Sequence, residues 1–529
     1  MGDSIDDFTS MPVRGSFTLF IGNTIGLIVN AIGVILVARM LSPSEYGLYS
    51  VTFVLPGFFL LFSDWGINAA LTRFIAQYRS QNRQREIDAF TKSGTYFKFI
   101  LGFFLSIVLF LSANYLSGTA LLRPEVGALV RLASLLILSQ SIHNTMISIF
   151  AGYDRMEYRA ALTVIQSIVK GISSPFLVYL GYGVSGAVIG HTLSYVVSSI
   201  VGYILALTLS QSAEEQVGSL QMSLRTMLRY GLPLFLGVIL VGFAGQFQGF
   251  LLSWFVSTEM IGNYNVALWF ILLVSVFSSS IYDNLLPAFS KLDFADDPAK
   301  GEEIFRGSVR YSTMFLLPFV FLLMTVSKPA VLLLFGGKYP QAPLFLALRM
   351  MPFLFIGLGS LSVISFLNSQ GETKASMRIH AITTTLMIFL SFIFIRQWSV
   401  TGLITALTLS SLMKSLLGLY VIHRMYGIAP SYKHSLRTFV SCAVSGSLAY
   451  TYIHFFSTSP LTDLLLSTAI FLTTYLIAAP IIGAIRIWDI KTLDTMLRSL
   501  KTIYPLTRPL LGVLEKVIRA TSRTREDTI

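Results

Sequence analysis

Phe97-Lys98-Phe99-Ile100-Leu101-Gly102-Phe103-Phe104-Leu105-Ser106-Ile107-Val108-Leu109-Phe110-Leu111 is an apolar run that does not alternate between two faces. A membrane β-barrel would instead show alternating segments of about ten residues. Runs of this kind recur along the chain at about 20 residues each, the length a helix needs to cross the hydrocarbon layer. Helices are the default spanning element because each satisfies its own backbone hydrogen bonds without water.

Composition agrees. The 529 residues are 54% hydrophobic and only 12% charged, with a mean hydropathy of +0.71. A soluble domain carries about 25% charged residues. The formal charge of +12 admits two readings, a nucleic-acid binder or a membrane protein with basic cytoplasmic loops. Because the Lys and Arg residues lie between apolar runs, the second is adopted and no nucleic-acid partner is expected. Cys442 is the single cysteine, so no intramolecular disulfide or cysteine-based metal site can form. Met1 to Pro12 is acidic and lacks the charged start of a signal peptide, so the first apolar run is expected to remain as a helix.

Spans are expected near 16–38, 46–68, 94–115, 126–150, 160–180 and 184–208, then near 230–256, 261–285, 309–327, 343–368, 376–396 and 400–422. A final pair is expected near 436–456 and 462–484. One set of loops holds Arg73, Arg79, Arg83, Arg85 and Lys92, then Arg155 and Arg159, Arg225 and Arg229, Lys291, Lys300, Arg306 and Arg310. Lys374, Arg378, Arg424, Lys433 and Arg437 continue that set, while the opposite set has little beyond Arg39, Arg123, Lys328, Lys338 and Arg396. The asymmetry predicts a multi-pass protein of the cytoplasmic membrane with both termini inside. An even number of spans follows, hence about fourteen. Beyond them, Leu493, Met496, Leu497, Leu500 and Tyr504 recur at helical spacing opposite Lys491, Asp494, Arg498 and Lys501. That pattern suits a cytoplasmic amphipathic tail on anionic headgroups, or a solvated helix packed on the bundle.

The chain also repeats itself. Ser42-Pro43-Ser44-Glu45-Tyr46-Gly47-Leu48-Tyr49 and Ser257-Thr258-Glu259-Met260-Ile261-Gly262-Asn263-Tyr264 match at Ser, Gly and Tyr. Their offset, 215, also pairs Phe74 with Phe289, Phe90 with Phe305, Ser93 with Ser308 and Tyr96 with Tyr311. Val184-Ser185-Gly186 matches Val400-Thr401-Gly402 at an offset of 216. Six helices separate the copies, so both insert in the same direction, a pattern found in transporters. The expected organisation is all-α and integral to the membrane: two parallel six-helix repeats, at 1–210 and 211–427, a terminal helix pair at 428–486, and the tail at 487–529.

Ala38-Arg39-Met40-Leu41-Ser42-Pro43-Ser44-Glu45-Tyr46-Gly47-Leu48-Tyr49 and Asp64-Trp65-Gly66-Ile67-Asn68 resemble segments of the polysaccharide-exporting flippases of the multidrug/oligosaccharidyl-lipid/polysaccharide exporter superfamily. Ile261-Gly262-Asn263-Tyr264-Asn265-Val266-Ala267 and Leu367-Asn368-Ser369-Gln370-Gly371-Glu372-Thr373-Lys374 are similar to two further segments of that family. The resemblance covers the first twelve helices. It implies translocation of a polyprenyl-linked oligosaccharide between leaflets, with a glycan-assembly machinery as a further partner and no cofactor.

Ionisable and amide side chains inside spans are the candidate substrate-binding groups. They are Lys170, Lys414, Arg349, Arg131, His143, His191, Gln246, Gln248, Asn23 and Asn30. Arg131 and His143, twelve residues apart, would share a helix face. Snorkelling is the competing account for Arg131 and Arg349, and helix–helix packing for the histidines and amides. Arg39, Asp64 and Arg73, at helix ends, are assigned to topology or gating. Acidic residues are scarce at span centres, Asp64 and Asp283 lying near the ends, which favours an anionic cargo over the multidrug antiporter of the same superfamily. Short outer loops and the lack of a catalytic or metal-ligand constellation argue against an enzyme such as a glycosyltransferase or polymerase.

Overall fold

The computed structural model describes residues 3–209, 219–290 and 298–498, with Tyr504, Arg508, Gly512, Glu515 and Ile518 beyond them, and their side chains from residue 19 onward except at 240, 241, 283, 492, 493 and 496–498. Lys291, Leu500 and Lys501, and the side chains of Asp283, Leu493, Met496, Leu497 and Arg498, lie outside the described set. Every regular element among the described residues is a helix. Nine of these helices are long and apolar enough to cross a membrane, or ten if one bent pair counts as a single span. The chain divides into two compact units, Met1–Asn265 and Val266–Ile529.

Unit 1 begins with α1 (Asp3–Met40) and α2 (Pro43–Thr52). The Ser-Pro-Ser-Glu stretch between them is a helix start written in sequence. The Ser42 hydroxyl accepts from the Glu45 N–H at 3.3 Å, and the Glu45 carboxylate accepts from the Ser42 N–H at 2.8 Å. Pro43 occupies the first helical position, where a missing N–H costs nothing. The expected second span is not continuous. It comprises α2, α3 (Val54–Leu61) and α4 (Ile67–Ser80), interrupted at Phe53 and again over 62–66. At the second break Trp65 and Gly66 both take positive φ, 50° and 76°. A Cβ on Gly66 would also lie 2.1 Å from the carbonyl oxygen of Gly231, so only glycine fits there.

Next come α5 (Gln84–Thr119), the short α6 (Gly127–Ala133), α7 (Leu135–Gly152), α8 (Met156–Leu177) and α9 (Gly183–Leu209). Unit 1 ends with α10 (Leu220–Phe255) and the start of α11 (Thr258–Ser290). The Met156–Leu209 run is 54 residues long, far more than the roughly 20 that one crossing needs. It turns back at Gly181 (φ 91°) and Gly183 (φ 53°, ψ −133°), and α8 and α9 pack side by side. The α1–α8 contact is close enough that a Cβ on Gly33 would sit 2.5 Å from Gly171 Cα, the small-residue packing that holds membrane helices together. The core joins Ile67, Leu71 and Ile75 of α4 to Phe90 of α5 and to Met146 and Phe150 of α7. The Phe74 and Phe90 rings lie 5.0 Å apart.

Two further pairs of contacts tie unit 1 together. A Cβ on Gly47 would meet the Thr258 carbonyl oxygen at 1.8 Å, and one on Gly262 would meet that of Pro43 at 2.0 Å. Arg123 Nε donates to the Ser253 carbonyl at 3.0 Å, and Trp254 Nε1 donates to that of Ala120 at 2.6 Å, fastening the α5–α6 connection to the end of α10.

Unit 2 contains the rest of α11, then α12 (Pro298–Thr325), α13 (Ser327–Phe335), α14 (Ala342–Arg349) and α15 (Ser362–Ser369). Between α14 and α15 a 3-10 turn over Met351–Leu358 contributes to a 49° bend. α16 (Thr373–Tyr426) runs on for 54 residues but breaks at Ser399, whose φ and ψ are 54° and −134°. α17 (Tyr432–Phe455), α18 (Pro460–Ile482) and α19 (Ile487–Arg498) complete the unit. Its core includes Phe289, Phe305 and Phe366, with ring separations of 5.4–6.3 Å. Around Cys442, Phe471 and Tyr475 a second cluster packs α17 and α18.

Asp489, fully buried at the start of α19, pairs with Arg310 of α12 and accepts from the Arg486 N–H at 2.8 Å. Removing one partner of a buried pair leaves an uncompensated charge, typically costing about 3 kcal/mol or more. Arg310→Ala is therefore expected to lower the melting temperature and to speed proteolysis after residue 486, whereas Arg310→Lys retains part of the protection. Unchanged cleavage in Arg310→Ala would show that the pair does not hold α19 in place.

Candidate functional site

The polar groups of unit 1 converge on one cavity of about 590 Å³. α3 and the break after it contribute Gly57, Ser63 and Asp64, α4 contributes Asn68, and α5 contributes Lys98. Gln140 and Asn144 come from α7, Lys170 from α8, His191 and Tyr195 from α9, and Gln246 from α10. Local packing explains several of these orientations. Gly171 is turned into the α1 contact; Lys170 beside it is rotated about 100° around the helix and lines the cavity. His191 is held by a hydrogen bond of 3.0 Å between its Nδ1 and the Tyr49 hydroxyl, and by the Phe53 ring at 4.4 Å.

The break between α3 and α4 forms part of the wall. Its Ser63 carbonyl is freed from helical pairing and accepts from Lys98 Nζ at 2.8 Å. The same ammonium pairs with Asp64 Oδ1 at 3.1 Å, and that oxygen also accepts from the Asn68 N–H at 3.1 Å. Lys98 is 1% exposed and Asp64 36%. Irregular backbone at membrane depth is tolerated where it lines a polar cavity in this way. The lining thus carries two ammonium groups, one carboxylate that an ammonium already engages, four side-chain amides and the His191–Tyr195 aromatic wall.

Among the residues singled out from sequence, Lys170, His191, Gln246 and Asp64 meet on this cavity. Asp64, assigned from sequence to topology or gating, lines the cavity wall. His143 is buried behind it, its Nδ1 2.8 Å from Ser198 Oγ and its ring against Tyr195. Arg131 is exposed and stacks over Phe110, separated from His143 by a turn at Ser134 whose backbone dihedrals stay helical. Gln248 and Asn23 are not on the cavity lining, and neither is Asn30, which keeps a buried Oδ1. Arg73 lies over the Tyr230 ring at 4.3 Å, and Arg39 is exposed at the end of α1. Lys414 and Arg349 belong to unit 2, half-buried on α16 and at the end of α14. The sequence reading missed Lys98, Asn68, Gln140, Asn144 and Tyr195. Lys98 had a usable signal, a charge inside an apolar run with Asp64 at the end of the preceding span.

Comparison with known proteins places the chain in a family. A family model described as polysaccharide biosynthesis protein matches residues 36–344. An uncharacterized membrane protein of Methanocaldococcus jannaschii is 22% identical over 388 residues, covering 70% of this chain and 75% of that protein. The succinoglycan biosynthesis transport protein ExoT of Rhizobium meliloti is 24% identical over 310 residues, 58% of this chain and 59% of its own length. Among solved structures, the inward closed conformation of the Lipid II flippase MurJ superposes with a TM-score of 0.70 at 16% identity, over 89% of this chain and 98% of that one. That likeness is one of fold. With the family model spanning more than half of its length, the chain belongs to the polysaccharide biosynthesis protein family.

Proposed function

We propose that the protein moves a polyprenyl-linked oligosaccharide across the cytoplasmic membrane by alternating access. The cavity of unit 1 is the observation that carries this reading. A sugar–diphosphate headgroup is anionic and rich in hydroxyls, and the wall offers a net excess of ammonium groups with Asn68, Gln140, Asn144 and Gln246 as hydrogen-bonding partners. The relatives support it by name: one is a transport protein of succinoglycan biosynthesis, and the structural neighbour is a flippase. A cation antiporter, the second reading, would need an available carboxylate, and Asp64 is already taken by Lys98.

The finer architecture belongs to the same proposal. Each 54-residue run is divided at its break, and α2–α4, the bent α14–α15 pair and α17 are each counted as one crossing, giving fourteen. Several observations support two parallel repeats of 1–210 and 211–427. Gly183 and Ser399, 216 positions apart, break their helices with the same dihedral angles within 1°. Phe74 and Phe90 pack together, and so do Phe289 and Phe305. The Gly47–Thr258 and Gly262–Pro43 approaches are reciprocal at an offset of 215, the mark of a twofold relation. In this arrangement 428–486 is an appended pair, and both termini face the cytoplasm. The start of the tail, α19, is pinned through Asp489 with Trp488 exposed, which suits an interfacial position.

Native mass spectrometry of the purified chain tests the cargo. A polyprenyl-diphosphate oligosaccharide is expected to remain bound at concentrations where a phospholipid of equal charge does not. Preferential retention of organic cations would overturn the reading.

A further inference from the structure

The contact between Lys98 and the broken helix has a consequence for ion dependence. Between α3 and α4 the chain presents the Ser63 carbonyl oxygen and the Asp64 carboxylate side by side, at an opening onto the cavity. Unwound carbonyls next to a carboxylate are the oxygen set with which discontinuous membrane helices hold sodium. Here an ammonium sits against both oxygens, at 2.8 and 3.1 Å, and is itself 1% exposed. The break is held on its other side by α10, where Gly231 approaches the Trp65 and Gly66 carbonyls so closely that a Cβ would lie within 3 Å of each.

We infer that Lys98 is a tethered cation occupying a monovalent-cation site in unit 1, so that removing its ammonium opens that site to sodium or potassium. Both oxygens stay in place without the lysine, because the Ser63 carbonyl and Asp64 belong to the break and not to α5, and water from the cavity would complete the shell of a bound cation. Access is provided by the cavity, which both Ser63 and Asp64 line. In the wild-type protein the site cannot exchange its cation, because the stem of Lys98 is anchored in α5. The inference rests on this geometry alone and holds for any cargo.

The test is the melting temperature of the purified full chain in sodium, potassium or choline chloride at equal ionic strength. Wild type is expected to melt at one temperature in all three. Lys98→Ala is expected to melt lower in choline and to recover saturably as sodium or potassium is added, because a ligand that binds only the folded state raises its stability. Lys98→Ala combined with Asp64→Asn is expected to lose that recovery. Two results overturn the inference: a folded Lys98→Ala protein indifferent to the cation, or a saturable sodium or potassium effect on wild type that Asp64→Asn removes. If Lys98→Ala does not fold, Lys98→Gln carries the same expectation, and the wild-type comparison stands by itself.

Discussion

Replacing Lys170 with alanine is expected to slow translocation of a lipid-linked oligosaccharide by roughly 10- to 100-fold. Lys170 lines the cavity of unit 1, on the helix whose next residue, Gly171, is packed against α1. A hydrogen bond to a charged group contributes about 1.5–3 kcal/mol, and each 1.4 kcal/mol is about tenfold. Loss of the ammonium removes that term wherever the phosphate is engaged, while the small-residue contact of Gly33 with Gly171 is untouched. Lys170→Arg keeps the charge but changes its shape, so an intermediate rate is expected. Lys433→Ala, at an exposed residue that is not part of the cavity lining, should leave the rate unchanged. Initial rates in vesicles of matched protein content read the comparison, and equal rates for wild type and Lys170→Ala would remove Lys170 from the transport path.

The second large effect is expected at Gly47 and Gly262. An alanine methyl group would overlap a carbonyl oxygen at 1.8 Å in one case and at 2.0 Å in the other. Neither neighbour is a flexible side chain, so the backbones must separate. Overpacking of this kind costs about 3 kcal/mol at each site. The two contacts are reciprocal, so the first substitution already parts the helix starts that the second would part. The double variant is therefore expected to melt only slightly below the worse single variant, well short of the sum. Full additivity in the melting temperatures would mean that the two contacts are independent and would weaken the twofold reading.

Much of the fold is legible in the sequence because lipid leaves the backbone few choices. An apolar run such as Phe97–Leu111 has to be a helix, and Ser42-Pro43-Ser44-Glu45 announces where one starts. Breaks are harder to foresee. Gly181 and Gly183 signal a turn by composition, but Ser399 takes the same backbone conformation as Gly183 with no local cue and becomes legible only through the repeat offset. The break over 62–66 depends on the close approach of Gly231, which lies 165 positions from Gly66 in sequence.

For the site, residue type identified Lys170, His191 and Gln246 as costly groups inside spans. It did not reveal which helix faces meet. Lys98 lies on an apolar helix within a few residues of its polar end, where snorkelling is the usual expectation. Its actual partners, Ser63 and Asp64, are fixed by how α5 packs on a break that the sequence does not announce.

In the proposed function, the cationic cavity of unit 1 carries a lipid-linked glycan headgroup across the bilayer. The direct measurement is leaflet exchange of a fluorescent polyprenyl-diphosphate oligosaccharide in vesicles containing only this protein. Exchange dependent on the wild-type protein and strongly slowed by Lys170→Ala is the predicted result. Proton- or sodium-driven efflux of organic cations, with no movement of the lipid-linked glycan between leaflets, would contradict it.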